Sequence, residues 1–96
     1  MSRYVLSPRA RADLEDIWAY SARRWGTDQA EDYIRLVQSA IETAAEEPRR
    51  GRACDEVRKG YRSYPAGSHV LFYRNVKAGI DIVRILHSRM DFERHL

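Results

Sequence analysis

Ninety-six residues are enough for one two-layer core and too few for a second, so the chain is expected to form a single domain over residues 1–96. Its composition, 44% hydrophobic and 32% charged, offers no apolar run near the roughly 20 residues of a membrane helix, which argues against a spanning segment. The net charge of +3 conceals a split: residues 1–47 carry six basic and nine acidic side chains, residues 48–96 eleven and five, and fifteen of the seventeen basic residues are arginine. Arginine forks onto carboxylates and phosphates, so an anionic partner is expected, either nucleic acid or an acidic polypeptide.

The opening "MSRYVLSPRA" lacks the apolar core of a signal peptide, which points to the cytoplasm. Within it "RYVL" (Arg3 to Leu6) reads as a short strand, stopped where Ser7 can cap a helix that begins with Pro8. In that helix Leu14, Ile17, Trp18, Ser21 and Trp25 recur at helical spacing, and Arg11, Asp13, Asp16 and Arg23 lie largely off the stripe. Gly26 supplies a C-terminal stop, and Thr27 or Asp28 is positioned to cap a second helix, with Glu31 completing a capping box if Asp28 is the cap. The second stripe, Ala30, Tyr33, Ile34, Val37, Ile41 and Ala44, ends before Pro48. So short a joint makes the two helices an antiparallel hairpin, and each stripe must pack on something more to be stable.

"PRRGRACDEVRKG" (Pro48 to Gly60) is polar, basic and aperiodic, and reads as a loop with room for one extra helical turn. It holds the sole cysteine, Cys54, which cannot form an internal disulfide. With His69, His87 and His95 scattered along the chain, no metal site is expected. Beyond it the period changes to two: Tyr61–Tyr64, a turn at Pro65, Ala66 and Gly67, then Ser68–Arg74, a loop "NVKAG", and Ile80–His87. The order β-α-α-β-β-β predicts an α+β fold with a helical hairpin on one face of a small, mainly antiparallel sheet.

Strict alternation in the last strand places Ile80, Ile82, Arg84 and Leu86 on one side and Asp81, Val83, Ile85 and His87 on the other. The preceding strand puts Val70 and Phe72 opposite Leu71 and Tyr73, so both faces of the sheet carry large apolar groups. Two helices cover one face only, and the segment after His87, with Met90, Phe92 and Leu96, is the remaining cover for the other.

A metal-independent nuclease requires a base, an arginine for the phosphate and an acid for the leaving oxygen. The chain offers Lys59 or Glu56, then Arg62, Arg74 or Arg84, and His87, a set that any arginine-rich sheet would supply. No GxSxG, phosphate-cradling glycine loop or HExxH is present.

Taken in order, "LSPRARADLEDIWAYSARRWG", a second helix ending in "EEP", "GYRSYPAGSHVLFYR" and "IDIVRILHSRMDFERHL" resemble the ParE toxins of bacterial toxin–antitoxin pairs, within the wider RelE/ParE superfamily. The resemblance spans essentially the whole chain. It is carried most specifically by Leu14, Ile17, Tyr20, Trp25 and Gly26, by Gly60, Tyr61 and Arg62, by His69, Phe72, Tyr73 and Arg74, and by Ile85 to Asp91. It implies the same fold and a toxin that blocks DNA gyrase by binding, with no catalytic residues, no cofactor and no metal. It also implies neutralisation by a ParD-like antitoxin, a ribbon-helix-helix dimer with a tail that folds on the toxin, through which alone operator DNA is reached. For the antitoxin the nominated residues are Trp18, Trp25, Arg62, Tyr64, Arg74 and Arg84; for the toxic surface, His87, Arg89, Met90, Asp91, Phe92 and Arg94. The superfamily's other branch, similar to RelE, cuts messenger RNA in the ribosome, and Arg62, Arg74 and His87 stand in roughly suitable places for it. Ser88, Arg89 and Met90 follow His87, however, no tyrosine lies beyond Tyr73, and lysine is scarce on the strands.

Overall fold

The computed structural model describes residues 3–96; Met1 and Ser2, part of the stretch read above as lacking a signal core, lie outside the described residues. Strand β1 (Tyr4–Leu6) leads into helices α1 (Pro8–Trp25) and α2 (Thr27–Glu46), and a 3-10 turn (Pro48–Arg50) precedes β2 (Arg52–Ala53). Then follow β3 (Tyr61–Ala66), β4 (His69–Val76), β5 (Gly79–His87) and a short α3 (Phe92–His95). The sheet runs β1-β5-β4-β3-β2, antiparallel throughout except that β1 lies parallel to β5. Among the described residues no helix is long and apolar enough to cross a membrane.

The start of α1 follows the sequence closely. Ser7 Oγ accepts the Ala10 N–H at 3.0 Å, and Pro8 occupies the first turn, where its missing N–H costs nothing. The hairpin joint differs from expectation. Gly26 alone ends α1 and begins α2: its N–H donates to the Ala22 carbonyl, its own carbonyl accepts the Ala30 N–H, and no side chain caps α2. That double duty requires φ of +96°, a region open to glycine, and it leaves Thr27 and Asp28 inside the helix rather than at its cap.

The hairpin covers one face of the sheet, α1 against β5 and α2 against β3. Its buried side chains include Ala10, Ile17, Val37, Ile41 and Ala44, which meet Leu71, Tyr73, Ile80, Ile82 and Ile85 from the sheet. The predicted α2 stripe packs inward, with Tyr33 and Ile34 half-buried, but the α1 stripe is narrower than predicted. Trp18 is 39% exposed and Trp25 52%, because the buried arc centres on Ala10, Ile17 and Ser21 and Trp18 stands about 100° around the helix from Ile17.

Strict alternation fails in β5. Phe72 pairs with Arg84 and Tyr73 with Ile82, so Val83 is an extra residue and the faces exchange beyond it. Ile85 therefore joins Ile80 and Ile82 under the helices, and Leu86 turns to the other face beside Phe72. On that outer face Cys54, Phe72 and Leu86 are buried, with Val57, Tyr61, Val70, Phe92 and Leu96 packed against them. The tail covers the second face as expected through Phe92 and Leu96, whereas Met90 stays 36% exposed, and the Cys54–Val57 loop contributes cover that has no signature in the sequence.

Two further differences concern β3 and its neighbours. The strand continues through Pro65 to Ala66, because β2 pairs only as far as Ser63 and the missing proline N–H breaks no ladder. The segment read as a loop contains both the extra 3-10 turn and the edge strand β2. Gly51 between them sits under the Tyr73 hydroxyl, where any Cβ would overlap that oxygen.

Candidate partner-binding surface

A groove of about 380 Å³ opens along the hairpin, lined by Ser21 and Trp25 of α1 and Gln29, Asp32, Tyr33 and Leu36 of α2. It exists because small, buried Ser21 lets the helices close beneath it while Trp25 and Leu36 stand proud, 52% and 46% exposed. Trp25 is held in place from outside: Tyr20 meets it edge-on at 6.0 Å between centroids, and the Arg24 guanidinium lies 5.6 Å from its ring.

Tyr33 connects this groove to the end of the sheet. Its hydroxyl accepts the Ser68 N–H at 2.9 Å, shares a hydrogen bond of 2.6 Å with His69 Nδ1 and lies 3.4 Å from the Ala66 carbonyl. His69 meets His87 edge-on at 5.3 Å, and His87 Nδ1 accepts the Arg89 N–H at 3.1 Å. Burial, and then the neighbouring His87, holds the His69 pKa below its ordinary 6.5, against a smaller opposing pull from Asp13. The unfolded chain therefore takes up this proton near pH 6.5 and the folded chain only further down. His69's contribution to stability is complete above about pH 6.5 and is lost as the pH falls below it. A series of melts between pH 7.5 and 5 is expected to show a falling Tm, and His69→Gln is expected to flatten that slope; an unchanged slope in the variant would assign it elsewhere.

Beyond the histidines lies a cleft where Asp13 and Asp16 of α1 face Arg84, His87, Met90 and His95. At its floor is a contact missed at the level of sequence. Asp13 forks onto Arg84 with both oxygens at 2.8 Å, the two side chains only 13% and 12% exposed, and also accepts the Ile85 N–H at 2.9 Å. β1 stops at Leu6, opposite Ile82, so the far half of β5 has an open edge. Ser7, donating its hydroxyl to the Val83 carbonyl, and Asp13 satisfy that edge in place of a strand. Arg84 then reaches the His95 carbonyl at 2.9 Å and ties α3 to α1.

The nominated residues are thus dispersed. Trp25 lines the groove, and Trp18 stands exposed elsewhere on α1. Arg62 and Tyr64 are on the helix-facing side of β3, where Arg62 donates to the Gly51 carbonyl at 2.7 Å and Tyr64 packs against the core. Arg74 is on the outer face, bridged to Asp81 at 3.2 Å, and Arg84 is engaged internally. In the tail Arg89, Met90, Asp91 and Arg94 are exposed, His87 is half-buried, and Phe92 packs edge-on against Phe72 at 4.7 Å. No period marks Leu36, Gln29 or Asp32 as groove lining, since the groove arises only where two helices meet.

Fold and surface together define a small α+β module with an open apolar groove on its helical hairpin. A family model described as the ParE toxin of type II toxin-antitoxin system, parDE, matches residues 4–92. Toxin ParE1 of Mycobacterium tuberculosis is 60% identical over 96 residues, covering 99% of this chain and 98% of its own. Toxin ParE1 of Caulobacter vibrioides is 50% identical over 96 residues, covering 100% and 99%. A solved chain of the chromosomal ParDE TA system from P. aeruginosa shares the fold with a TM-score of 0.79 at 18% identity, over 91% of this chain and 96% of that one. The chain belongs to the ParE toxin family of type II toxin–antitoxin systems.

Proposed function

We propose that this toxin, a single domain over residues 1–96, acts in the cytoplasm by binding DNA gyrase and stalling it on cleaved DNA, without cofactor or chemistry of its own. A ParD-like antitoxin neutralises it, and the pair reaches its operator through the antitoxin's ribbon-helix-helix dimer. The carrying observation is that the residues a nuclease would use are dispersed or already engaged: Arg84 and His87 share the cleft beside α1, but the Arg84 guanidinium is taken up by Asp13 and the His95 carbonyl. Arg62 pairs with Tyr73 on the helix-facing side of the sheet, Arg74 pairs with Tyr61 on the outer side, and Lys59 and Glu56 lie in the exposed loop. The hairpin groove, by contrast, supplies the apolar area that a tail folding on binding requires to offset its lost entropy. The exposed side of the C-terminal segment, Arg89, Met90, Asp91 and Arg94, with His87 behind it, is the surface offered to gyrase.

Two parallel assays test this reading with the purified toxin freed of antitoxin: gyrase with supercoiled plasmid and ATP, and ribosomes translating a defined messenger. Cleaved plasmid with intact message supports it; cuts in the message with unaffected gyrase would replace it with the nuclease. For the antitoxin, Trp25→Ala is expected to weaken binding by about 2 kcal/mol, roughly 30-fold. The variant's Tm should barely move, since half the side chain is already in water. Unchanged affinity by calorimetry would remove the groove from the interface.

A further inference from the structure

Fifteen residues, 48–62, carry six basic and two acidic side chains. Five of the six, Arg49, Arg50, Arg52, Arg58 and Lys59, are exposed at the corner of the molecule formed by the 3-10 turn, β2 and the loop before β3. Their backbone is rigidly held from within. Buried Tyr73 donates its hydroxyl to the Pro48 carbonyl at 2.6 Å, Arg62 donates to the Gly51 carbonyl, and Gly51 is wedged beneath the tyrosine oxygen. The loop is closed on itself by the Val57 and Arg58 N–H groups donating to the Cys54 carbonyl, and by Asp55 Oδ1 accepting the Gly60 N–H at 2.8 Å. That bond turns one of the two acids back into the loop. Glu47, just before the segment, is taken up by Arg50 at 3.1 Å, while Arg49, Arg52 and Lys59 form no salt bridge among the described residues.

From this arrangement we propose that the corner is a sequence-independent phosphate-contacting surface for duplex DNA, separate from the hairpin groove and additional to any contact made through the antitoxin. The alternative anionic occupant is an acidic polypeptide, and the surroundings favour DNA over it. A polypeptide that orders on binding requires apolar floor, and none of the large hydrophobic side chains that stand exposed among the described residues, Val5, Trp18, Tyr20, Trp25, Leu36, Val76 and Met90, belongs to residues 48–62. The exposed cations Arg49, Arg52 and Lys59, which form no salt bridge among the described residues, on a hydrogen-bonded backbone match a polyanion whose charges are regularly spaced and whose bound counterions are released on contact.

The test is anisotropy of a labelled duplex of arbitrary sequence, about 30 base pairs long, titrated with the purified full-length toxin between about 50 and 200 mM salt. The expected result is salt-dependent binding. The triple variant Arg49→Gln, Arg52→Gln, Lys59→Gln should weaken it at least about tenfold at low salt and reduce the log–log salt slope by about 2 to 3, near 0.9 for each phosphate no longer neutralised. Arg89→Gln with Arg94→Gln, two exposed arginines of the basic half that lie outside the corner, should keep most of the binding. The proposal is overturned if the wild-type protein shows no binding at low salt or if the triple variant binds as the parent does. It is overturned equally if polyglutamate competes as well as DNA at equal charge. Because the three substituted side chains are exposed and form no salt bridge among the described residues, the variant's antitoxin affinity and Tm should be unchanged, which separates this outcome from any failure of the toxin reading.

Discussion

Asp13→Ala is expected to lower the unfolding free energy by about 3 kcal/mol, a fall in Tm on the order of 15 °C for a chain of this size. Three losses coincide. Arg84 is left with an uncompensated, nearly buried charge, the Ile85 N–H at the open edge of β5 loses its acceptor, and the link from α1 through Arg84 to the His95 carbonyl loses its anchor. The rise in the Arg84 pKa that comes from donating to Asp13 is lost with the carboxylate, yet a guanidinium keeps its proton at neutral pH, so the charge cannot escape by deprotonation. Asp13→Asn keeps an acceptor for Ile85 and removes only the charge, and should recover part of the stability. Arg84→Ala should be nearly as damaging as Asp13→Ala, and the double variant should cost clearly less than the two singles combined. Additive costs in a denaturant double-mutant cycle would show that the fork contributes nothing as a pair.

Deleting the residues after Ser88 is expected to cost on the order of 4 kcal/mol, because Phe92 and Leu96 leave the outer face and Phe72 and Leu86, each 1% exposed, are opened to water. It also removes the His95 carbonyl from Arg84 and the Leu96 carbonyl from Arg58. A truncated toxin that no longer kills would therefore report a damaged fold before it reported the loss of the proposed target surface. Arg89→Glu with Arg94→Glu separates the two, since both side chains are exposed and make no salt bridge among the described residues. Toxicity should fall while the Tm stays within a few degrees. A soluble double variant as toxic as the parent would remove these arginines from the proposed target surface, and a truncation that melts with the parent would show that the tail is no cover.

The two halves of the tail thus have different work. Phe92 and Leu96 belong to the fold, packed over the second apolar cluster, while Arg89, Met90, Asp91 and Arg94 face outward. Sequence alone grouped Phe92 with the outward-facing residues because they are contiguous and amphipathic. Arg84 was grouped with the partner-binding arginines for a similar reason, its charge being visible in the sequence and Asp13, 71 positions away, giving no local sign of pairing with it.

Local chemistry and period were legible along the chain, and they account for most of its elements. Ser7 and Pro8 set the start of α1, Gly26 set the joint, the 3.6-residue stripe of α2 set its buried side, and the change to a period of two set the strands. These follow from the few residues on either side, and they carried the order of elements and the family resemblance with them. The rest came from distant segments meeting in the folded molecule. The extra residue at Val83 exchanges the faces of β5, because a bulge is a mismatch between two strands and has no signature in one. Asp13 became the cap of an open sheet edge because β1 ends at Leu6. Arg62 and Arg74, both exposed-looking arginines on adjoining strands, ended on opposite faces because their registered partners are Tyr73 and Tyr61. Register, edge and cleft are properties of pairs of elements, and a single strand or helix can specify only which of its own sides is apolar.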